Sequence, residues 1–139
     1  MLINFFLMFS VSPTPYPSPS PHSVSIITTY AGTGTASHSG DGGPATSATI
    51  STPRGIVTDS SGNVYINEAG SHRVRKVTAS TGIISTYAGT GAASYSGDGG
   101  LATSAALNRP NGLGIDASGT VTTHETMQTI SVADVYSLF

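Results

Sequence analysis

Ile26-Ile-Thr-Thr-Tyr-Ala-Gly-Thr-Gly34 returns later in the chain as Ile83-Ile-Ser-Thr-Tyr-Ala-Gly-Thr-Gly91. Ser39-Gly-Asp-Gly-Gly43 returns as Ser96-Gly-Asp-Gly-Gly100, at the same offset of 57 residues and without a gap. Self-similarity at a fixed period indicates a repeat architecture, in which each copy is one supersecondary unit. The residues that define the repeat are Tyr30, Gly40, Asp41, Gly43, Pro53, Gly55 and Asp59, matched in the second copy by Tyr87, Gly97, Asp98, Gly100, Pro110, Gly112 and Asp116.

The segment between the two copies predicts one set of four antiparallel strands. Residues 63–67 and 73–77 alternate apolar and polar side chains with period two, as half-buried strands do. Tight turns separate the strands, the first being Asp59-Ser-Ser-Gly62, which has glycine where a positive φ is needed. We expect strands at residues 26–31, 55–58, 63–67, 73–77 and 83–88, and one helical turn within residues 102–107. Such a four-stranded antiparallel unit is one blade of a β-propeller.

Composition agrees with an all-β, turn-rich protein and excludes several classes of site. The chain has 139 residues, of which 9% are charged and 17 are glycine. A net charge of −2 gives no electrostatic case for nucleic acid, and the basic residues 73–76 fit the solvent-facing side of a strand. The absence of cysteine excludes disulfides and thiolate metal sites. No apolar run approaches the roughly 20 residues needed to span a bilayer.

The first 22 residues differ in composition from the repeats. Residues 1–11 are strongly apolar, which predicts either a secretory signal or a retained strand that docks on a sheet. Residues 12–22 alternate with proline, which predicts an extended polyproline II spacer. This spacer resembles the hydroxyproline-rich, O-glycosylated spacers of plant and algal extracellular proteins, and a plain linker is the alternative. The candidate glycosylation sites are Pro13, Pro15, Pro17, Pro19 and Pro21.

Three motifs carry a resemblance to NHL-repeat β-propeller proteins: Pro53-Arg-Gly-Ile-Val-Thr-Asp59, Gly62-Asn-Val-Tyr-Ile66 and His72-Arg-Val-Arg-Lys-Val77. The resemblance covers residues 25–120 and implies four-stranded blades that usually close as a ring of about six. Asn67 departs from the family pattern, which has aspartate there. The second copy also departs after Gly119, and residues 121–139 form a divergent tail that is strand-like. We therefore expect an incomplete propeller of about two repeats, at residues 23–120, preceded by the proline-rich stem.

Few side chains suggest chemistry. Asp41 and Asp98 are weak candidates for calcium ligands, because each glycine-rich loop has only one acid. The competing interpretation is an aspartate that accepts backbone N–H bonds in a tight turn. The histidines show no metal-binding spacing, although the resemblance implies a structural role for His72. We therefore predict no catalytic residues, no cofactor and no metal.

The main functional hypothesis is an extracellular structural protein, secreted or at the cell surface. Neighbouring subunits would complete its blades by head-to-tail strand complementation, which gives a homo-oligomeric ring or a fibre. The alternative is a propeller module that binds a protein or a glycan. A fragment of an NHL-family enzyme is the third hypothesis.

Overall fold

The computed structural model describes residues 3–5, 26–124 and 129–132, which form nine strands in three antiparallel sheets. A two-stranded sheet pairs β1 with β2, a four-stranded sheet has the order β3-β4-β5-β6, and a three-stranded sheet has the order β7-β8-β9. The strands are β1 (Ile3–Phe5), β2 (Thr28–Ala31), β3 (Pro53–Thr58), β4 (Val64–Glu68), β5 (Arg73–Val77), β6 (Ile84–Ala88), β7 (Gly112–Ile115), β8 (Val121–His124) and β9 (Thr129–Val132).

The four-stranded sheet is the propeller blade that the sequence predicts, and we call it the first blade. All three pairings are antiparallel between consecutive strands, because tight turns connect them. The predicted strand at residues 73–77 is confirmed, and the others are confirmed with small shifts at their ends. The largest differences are of two residues: β3 begins at Pro53 instead of residue 55, and β2 begins at Thr28 instead of residue 26.

The second blade consists of β7, β8 and β9 and contains three strands among the described residues. Its last strand comes from the tail at residues 121–139, where the sequence keeps a strand-like pattern without repeating the first copy. The strand β2 has the sequence of β6 but pairs with β1, from the apolar N-terminal segment. The proline-rich spacer at residues 12–22 lies outside the described residues.

Two corresponding linkers connect the sheets: the first linker, residues 32–52, and the second linker, residues 89–109. Each contains one 3-10 turn, at Ala45–Ser47 and Ala102–Ser104, and the second confirms the predicted helical turn. Each linker also ends in a residue with positive φ, Thr52 at 48° and Arg109 at 54°. Because even this unusual backbone geometry repeats, the offset of 57 residues describes three-dimensional structure and not only sequence.

The apolar core forms two clusters of buried residues. One joins the first linker and β2 to the first blade, and the other joins the second linker to both blades. The first blade is covered on both faces, which explains why all five residues of β4 are buried, including the polar Asn67 and Glu68. The first cluster contains Ala31, Ala45, Ala48, Ile50, Val64, Ile66, Val77 and Ile84, and the second contains Tyr65, Val74, Ala88, Leu107 and Val121.

Gly40 and Gly97 lie at corresponding close backbone approaches within the two linkers. A Cβ at Gly40 would lie 2.7 Å from Cα of Ala48, and one at Gly97 would lie 2.6 Å from Cα of Ala105. Both glycines have positive φ, 87° and 101°. Glycine is therefore required at both positions by backbone conformation and by space.

Gly40→Ala should lower the free energy of unfolding by about 3 kcal/mol, because strain from positive φ adds to a backbone clash. Gly42→Ala is the matched control. Gly42 has φ of 80°, and beyond its chain neighbours no atom lies within 4 Å of where a Cβ would be. The control should lose only about 1 kcal/mol from the backbone strain. Urea unfolding followed by circular dichroism measures both, and equal losses would contradict the close approach.

Candidate functional site

A buried ion cluster is centred on Arg75 of β5. Its side chain is fully buried, and its Nη1 donates to Oε1 of Glu68 at 2.9 Å. Glu68, at the end of β4, is also fully buried and accepts a hydrogen bond from the hydroxyl of Ser71. A buried guanidinium is tolerated only when its charge is paired. Both terminal nitrogens of Arg75 are hydrogen-bonded, whereas its buried Nε has no partner among the described residues. The cluster therefore ties two central strands of the first blade together by charge.

The position of Arg75 corrects one sequence prediction. The basic residues 73–76 are predicted on the solvent-facing side of a strand, and this is wrong for Arg75, whose exposure is 0%. The physical reason is that carboxylates from two other segments converge on its guanidinium. Lys76 instead is half-buried, with Nζ 5.4 Å from the ring centre of Tyr65 and 5.9 Å from that of Tyr87.

The same guanidinium fixes the glycine-rich part of the first linker. Nη2 of Arg75 donates to Oδ1 of Asp41 at 2.7 Å and to the backbone oxygen of Ser39 at 3.1 Å. The other carboxylate oxygen of Asp41 accepts from the hydroxyl of Thr86 on β6 at 2.6 Å. Asp41 therefore bonds to the blade, and not to backbone amides of its own glycine turn as the competing sequence interpretation has it.

His38 completes the cluster, and sequence reasoning did not find it. Its Nδ1 lies 3.0 Å from Oε2 of Glu68 and 3.1 Å from Nη1 of Arg75. With a proton on Nδ1 the ring donates to the carboxylate, and without one it accepts from the guanidinium. The sequence signal for this role is weak, because the corresponding residue of the second copy is Tyr95.

These contacts determine the acidity of Asp41. Partial burial acts to raise its pKa, but the Thr86 hydroxyl and the Arg75 guanidinium outweigh burial and hold the pKa below the ordinary value. The carboxylate is consequently ionised whenever the linker is docked near neutral pH. Because its pKa is lowered in the folded protein, the Asp41 carboxylate stabilises the fold, and acidification removes this contribution.

The second linker lacks this anchor. Ile130 of β9 corresponds to Arg75, because Ile130 pairs with Thr123 as Arg75 pairs with Ile66 in the first blade. This position therefore supplies no guanidinium for Asp98. Among the described residues the Asp98 side chain makes no hydrogen bond or ion pair, and residues 92–101 are all exposed. Tyr95 and Leu101, in this segment, are 44% and 63% exposed. The two glycine-rich loops therefore share a sequence but differ in how firmly they are held.

Asp59 and Asp116 stabilise the corresponding β-turns of the two blades. Asp116 accepts from the hydroxyl and the amide of Ser118 and from the amide of Thr120, which lowers its pKa. For Asp59, burial acts to raise the pKa, but hydrogen bonds from Asn63, Tyr65 and Ser61 more than offset it and lower the pKa. Both aspartates close hairpins, and neither contacts the ion cluster.

Two side chains connect the first blade to the second linker and the second blade. Asn67 Nδ2 donates to the backbone oxygen of Gly112 at 2.8 Å, and the amide of Arg109 donates to His72 Nδ1 at 3.1 Å. Asn67 is the residue that departs from the family pattern. An amide can donate to the Gly112 carbonyl, whereas a carboxylate cannot. The departure is therefore accommodated by a direct bond between neighbouring blades.

Residues 3–5, 26–124 and 129–132 contain no group of three His, Cys, Asp or Glu side chains placed to hold a metal ion. Asp41 and Asp98, the weak metal candidates, lie in different linkers, and the Asp41 carboxylate is occupied by Arg75 and Thr86. Within the same residues no helix is long and apolar enough to cross a membrane.

Arg75→Met should lower the free energy of unfolding by about 3–5 kcal/mol, because it leaves the Glu68 carboxylate buried without its partner. Lys76→Met on the same strand is the matched control and should cost about 1 kcal/mol or less, the value of a cation–π contact that solvent still reaches. Urea unfolding measures both variants. Equal costs would show that the ion cluster does not hold the blade.

Asp41→Asn should reduce the loss of stability on acidification. Because the folded-state pKa is lowered, Asp41 stabilises the fold above the ordinary aspartate pKa of about 3.9, and this contribution is lost as the pH falls through the folded pKa. At pH 7 the variant should cost up to about 1 kcal/mol, since the Asp41 side chain is 44% exposed and solvent screens the pair. The measurement is urea unfolding between about pH 7 and pH 3, which spans the ordinary pKa.

Asp98→Asn is the control for this acid titration, since it is the same change at the corresponding residue of the second linker. Its stability should follow that of the wild-type chain at each pH. The stabilising role assigned to the Asp41 carboxylate would be wrong if the stability of the two variants had the same dependence on pH.

Comparison with solved structures shows the same fold. A structural genomics protein of unknown function from Bacteroides thetaiotaomicron VPI-5482 is 24% identical, with a TM-score of 0.62 over 71% of this chain and 24% of that chain. An auxiliary nutrient binding protein from the same organism is 20% identical, with a TM-score of 0.50 over 71% of this chain and 26% of that chain. The chain thus spans about a quarter of the length of either structure. A comparison with curated proteins found no match.

The family comparison agrees with the repeat. The model of the Teneurin NHL domain family matches residues 24–95, slightly more than half of the chain. The matched segment contains β2, the first linker and the whole first blade. The resemblance drawn from the sequence motifs is confirmed, and the chain belongs to the NHL-repeat family of the Teneurin NHL domain.

Proposed function

We propose that this propeller module assembles with copies of itself, each copy completing the blade of the next. The observation that carries the proposal is the exposure of one repeated residue. Ile84 of β6 is fully buried, whereas Ile27, the corresponding residue beside β2, is 56% exposed. Identical side chains at equivalent positions thus differ because, among the described residues, only Ile84 has a neighbouring linker that covers it.

The contacts of Ile84 predict what would cover Ile27. The amide of Gly42 donates to the Ile84 oxygen at 2.8 Å, and the amide of Ile84 donates to the Gly43 oxygen at 3.0 Å. The corresponding glycines of the second linker are Gly99 and Gly100, and among the described residues these two bonds have no counterpart there. The second linker therefore offers the Gly99 amide and the Gly100 carbonyl, which would bond to the backbone of Ile27 as Gly42 and Gly43 bond to Ile84.

The exposed apolar residues match in the same way. Pro44 of the first linker forms a β-bridge with Ile83, and the corresponding pair in the repeat is Leu101 with Ile26. Leu101 is 63% exposed and Ile26 is 79% exposed. Docking the start of β2 from one copy onto the second linker of another would bury both residues. Such burial supplies the main driving force for association.

This contact is heterologous, because the two surfaces are different parts of the chain. It gives a closed ring where the rotation between copies closes, and a helical fibre where it does not. Three copies of about two blades each would make a six-bladed ring. We assign the assembly to the cell exterior, on the basis of the apolar segment at residues 1–11 and the proline-rich spacer, and we assign it no catalytic step.

A second candidate function, recognition of a protein or a glycan, is favoured by the unanchored loop of the second linker. Tyr95 is exposed in a segment that lacks the guanidinium holding its counterpart, and tyrosine is common in binding surfaces. In this alternative the loop binds a different molecule and the chain itself stays monomeric.

Ile26→Asp should shift the chain from oligomer toward monomer, with a loss of association of at least about tenfold, because a carboxylate would enter the buried contact with Leu101. Sedimentation velocity over a range of concentrations measures the change. The double variant Ile26→Asp with Leu101→Lys should recover part of the association by charge pairing across the contact.

Tyr95→Ser is the control, since it removes an exposed aromatic ring of the same linker outside the predicted contact. It should leave the association unchanged. A wild-type chain that stays monomeric at high concentration rules out the assembly, and loss of association in Tyr95→Ser but not in Ile26→Asp would move the contact to the loop.

A further inference from the structure

The pairing of β1 with β2 repeats the pairing of β5 with β6. In the first blade Val74 pairs with Ala88, Arg75 with Thr86 and Lys76 with Ser85, and a register shift lies between the first two pairs. At the N-terminus Ile3 pairs with Ala31, Asn4 with Thr29 and Phe5 with Thr28, and the register shift lies at the same place. The paired residues of β2 are thus those that correspond, at the repeat offset, to the paired residues of β6.

A β-bulge shows which edge of a strand is paired. In β6 the residue skipped at the irregularity is Tyr87, and in β2 it is the corresponding Tyr30. The extra residue of a bulge faces the partner strand differently from its neighbours, so the same bulge marks the same edge. β5 is the third strand of its blade, and β1 therefore occupies the third-strand position beside β2.

We propose that β1 is an internal cap that blocks self-assembly until it leaves β2. This inference rests on the proposed function. In a completed blade, the third strand beside β2 would be β9 of a second copy, because β9 corresponds in the repeat to β5. The β8–β9 register places Thr129 and Ile130 at the positions of Val74 and Arg75, so Thr129 would pair with Ala31 and Ile130 with Thr29. These are the backbone positions that Ile3 and Asn4 hold within the chain.

The two candidate partners of β2, which are β1 and β9 of a second copy, differ in length and in the sheet to which they belong. β1 has three residues and pairs within its own chain, whereas β9 has four and belongs to a sheet of three strands. An intramolecular strand has the advantage of effective concentration, so it excludes the second copy at low protein concentration. Removal of residues 1–11, or displacement of β1 at high concentration, would open the edge. The segment thus regulates when the blade is completed.

A reversible disulfide between β1 and β2 tests the cap in the full-length chain. The chain has no cysteine, so Asn4→Cys with Thr29→Cys introduces a single pair at directly opposed positions. Opposed residues of antiparallel strands have Cα atoms about 4.5–5.5 Å apart, which suits a disulfide. The oxidised chain should remain monomeric in sedimentation velocity. The reduced chain should associate at least about tenfold more tightly, since β1 is then held on β2 only by its effective concentration and a second copy can displace it.

The control pair is Asn4→Cys with Ser85→Cys, which puts the second cysteine at the β6 residue that corresponds to Thr28. Oxidation should form no intramolecular disulfide in this variant and should leave its association unchanged. A chain without residues 1–11, checked for its β-sheet content by circular dichroism, should associate more tightly than the full-length chain.

Two results would overturn the cap. Equal association of the oxidised and reduced Asn4→Cys, Thr29→Cys chains would show that β1 does not block the contact, and self-assembly itself would stand. Failure of the reduced chain and of the chain without residues 1–11 to associate at any concentration would overturn self-assembly together with the cap.

Discussion

The buried guanidinium of Arg75 is the interaction on which the arrangement of the first blade depends. It joins β5 to Glu68 of β4 and, through Asp41, to the first linker, so one side chain holds strands and loop in register. Apolar packing alone would favour many similar arrangements of short alternating strands. A buried charge that is paired in a single geometry excludes most of these arrangements, because every other arrangement leaves a buried ion unpaired.

The same interaction explains why the two copies behave differently despite their common sequence. The linkers share glycines, 3-10 turns and backbone angles, since these features depend on local sequence. Docking of the linker depends instead on a strand more than 30 residues away, and there the second copy has Ile130 where the first has Arg75. The second copy thus has the same local backbone geometry as the first. It lacks the long-range contact that Arg75 makes with Asp41, and the glycine-rich part of its linker is exposed to solvent.

Sequence reasoning therefore predicted the parts of the fold that are set locally. The repeat offset and the period-two alternation predicted the blade, and residues 73–77 form a strand with the expected bounds. The alternation could not show that Arg75 faces inward, because a buried arginine and an exposed one have the same pattern in the sequence. His38 was missed for a related reason, since its partners Glu68 and Arg75 are 30 and 37 residues away. Asn67 was noticed as a departure, but its bond to Gly112 depends on the packing between blades.

The near identity of β2 and β6 also has a consequence for folding. Either β2 or β6 could pair with β5, since their sequences differ little. Which of them pairs depends on the length of the loop that must close. Only six residues separate β5 from β6, whereas 41 separate β2 from β5. Loop-closure entropy favours the shorter connection by roughly 2 kcal/mol, and short loops close within about 100 ns. The local hairpin therefore forms first, and speed of closure, more than the chemistry of the side chains, distinguishes two otherwise interchangeable strands.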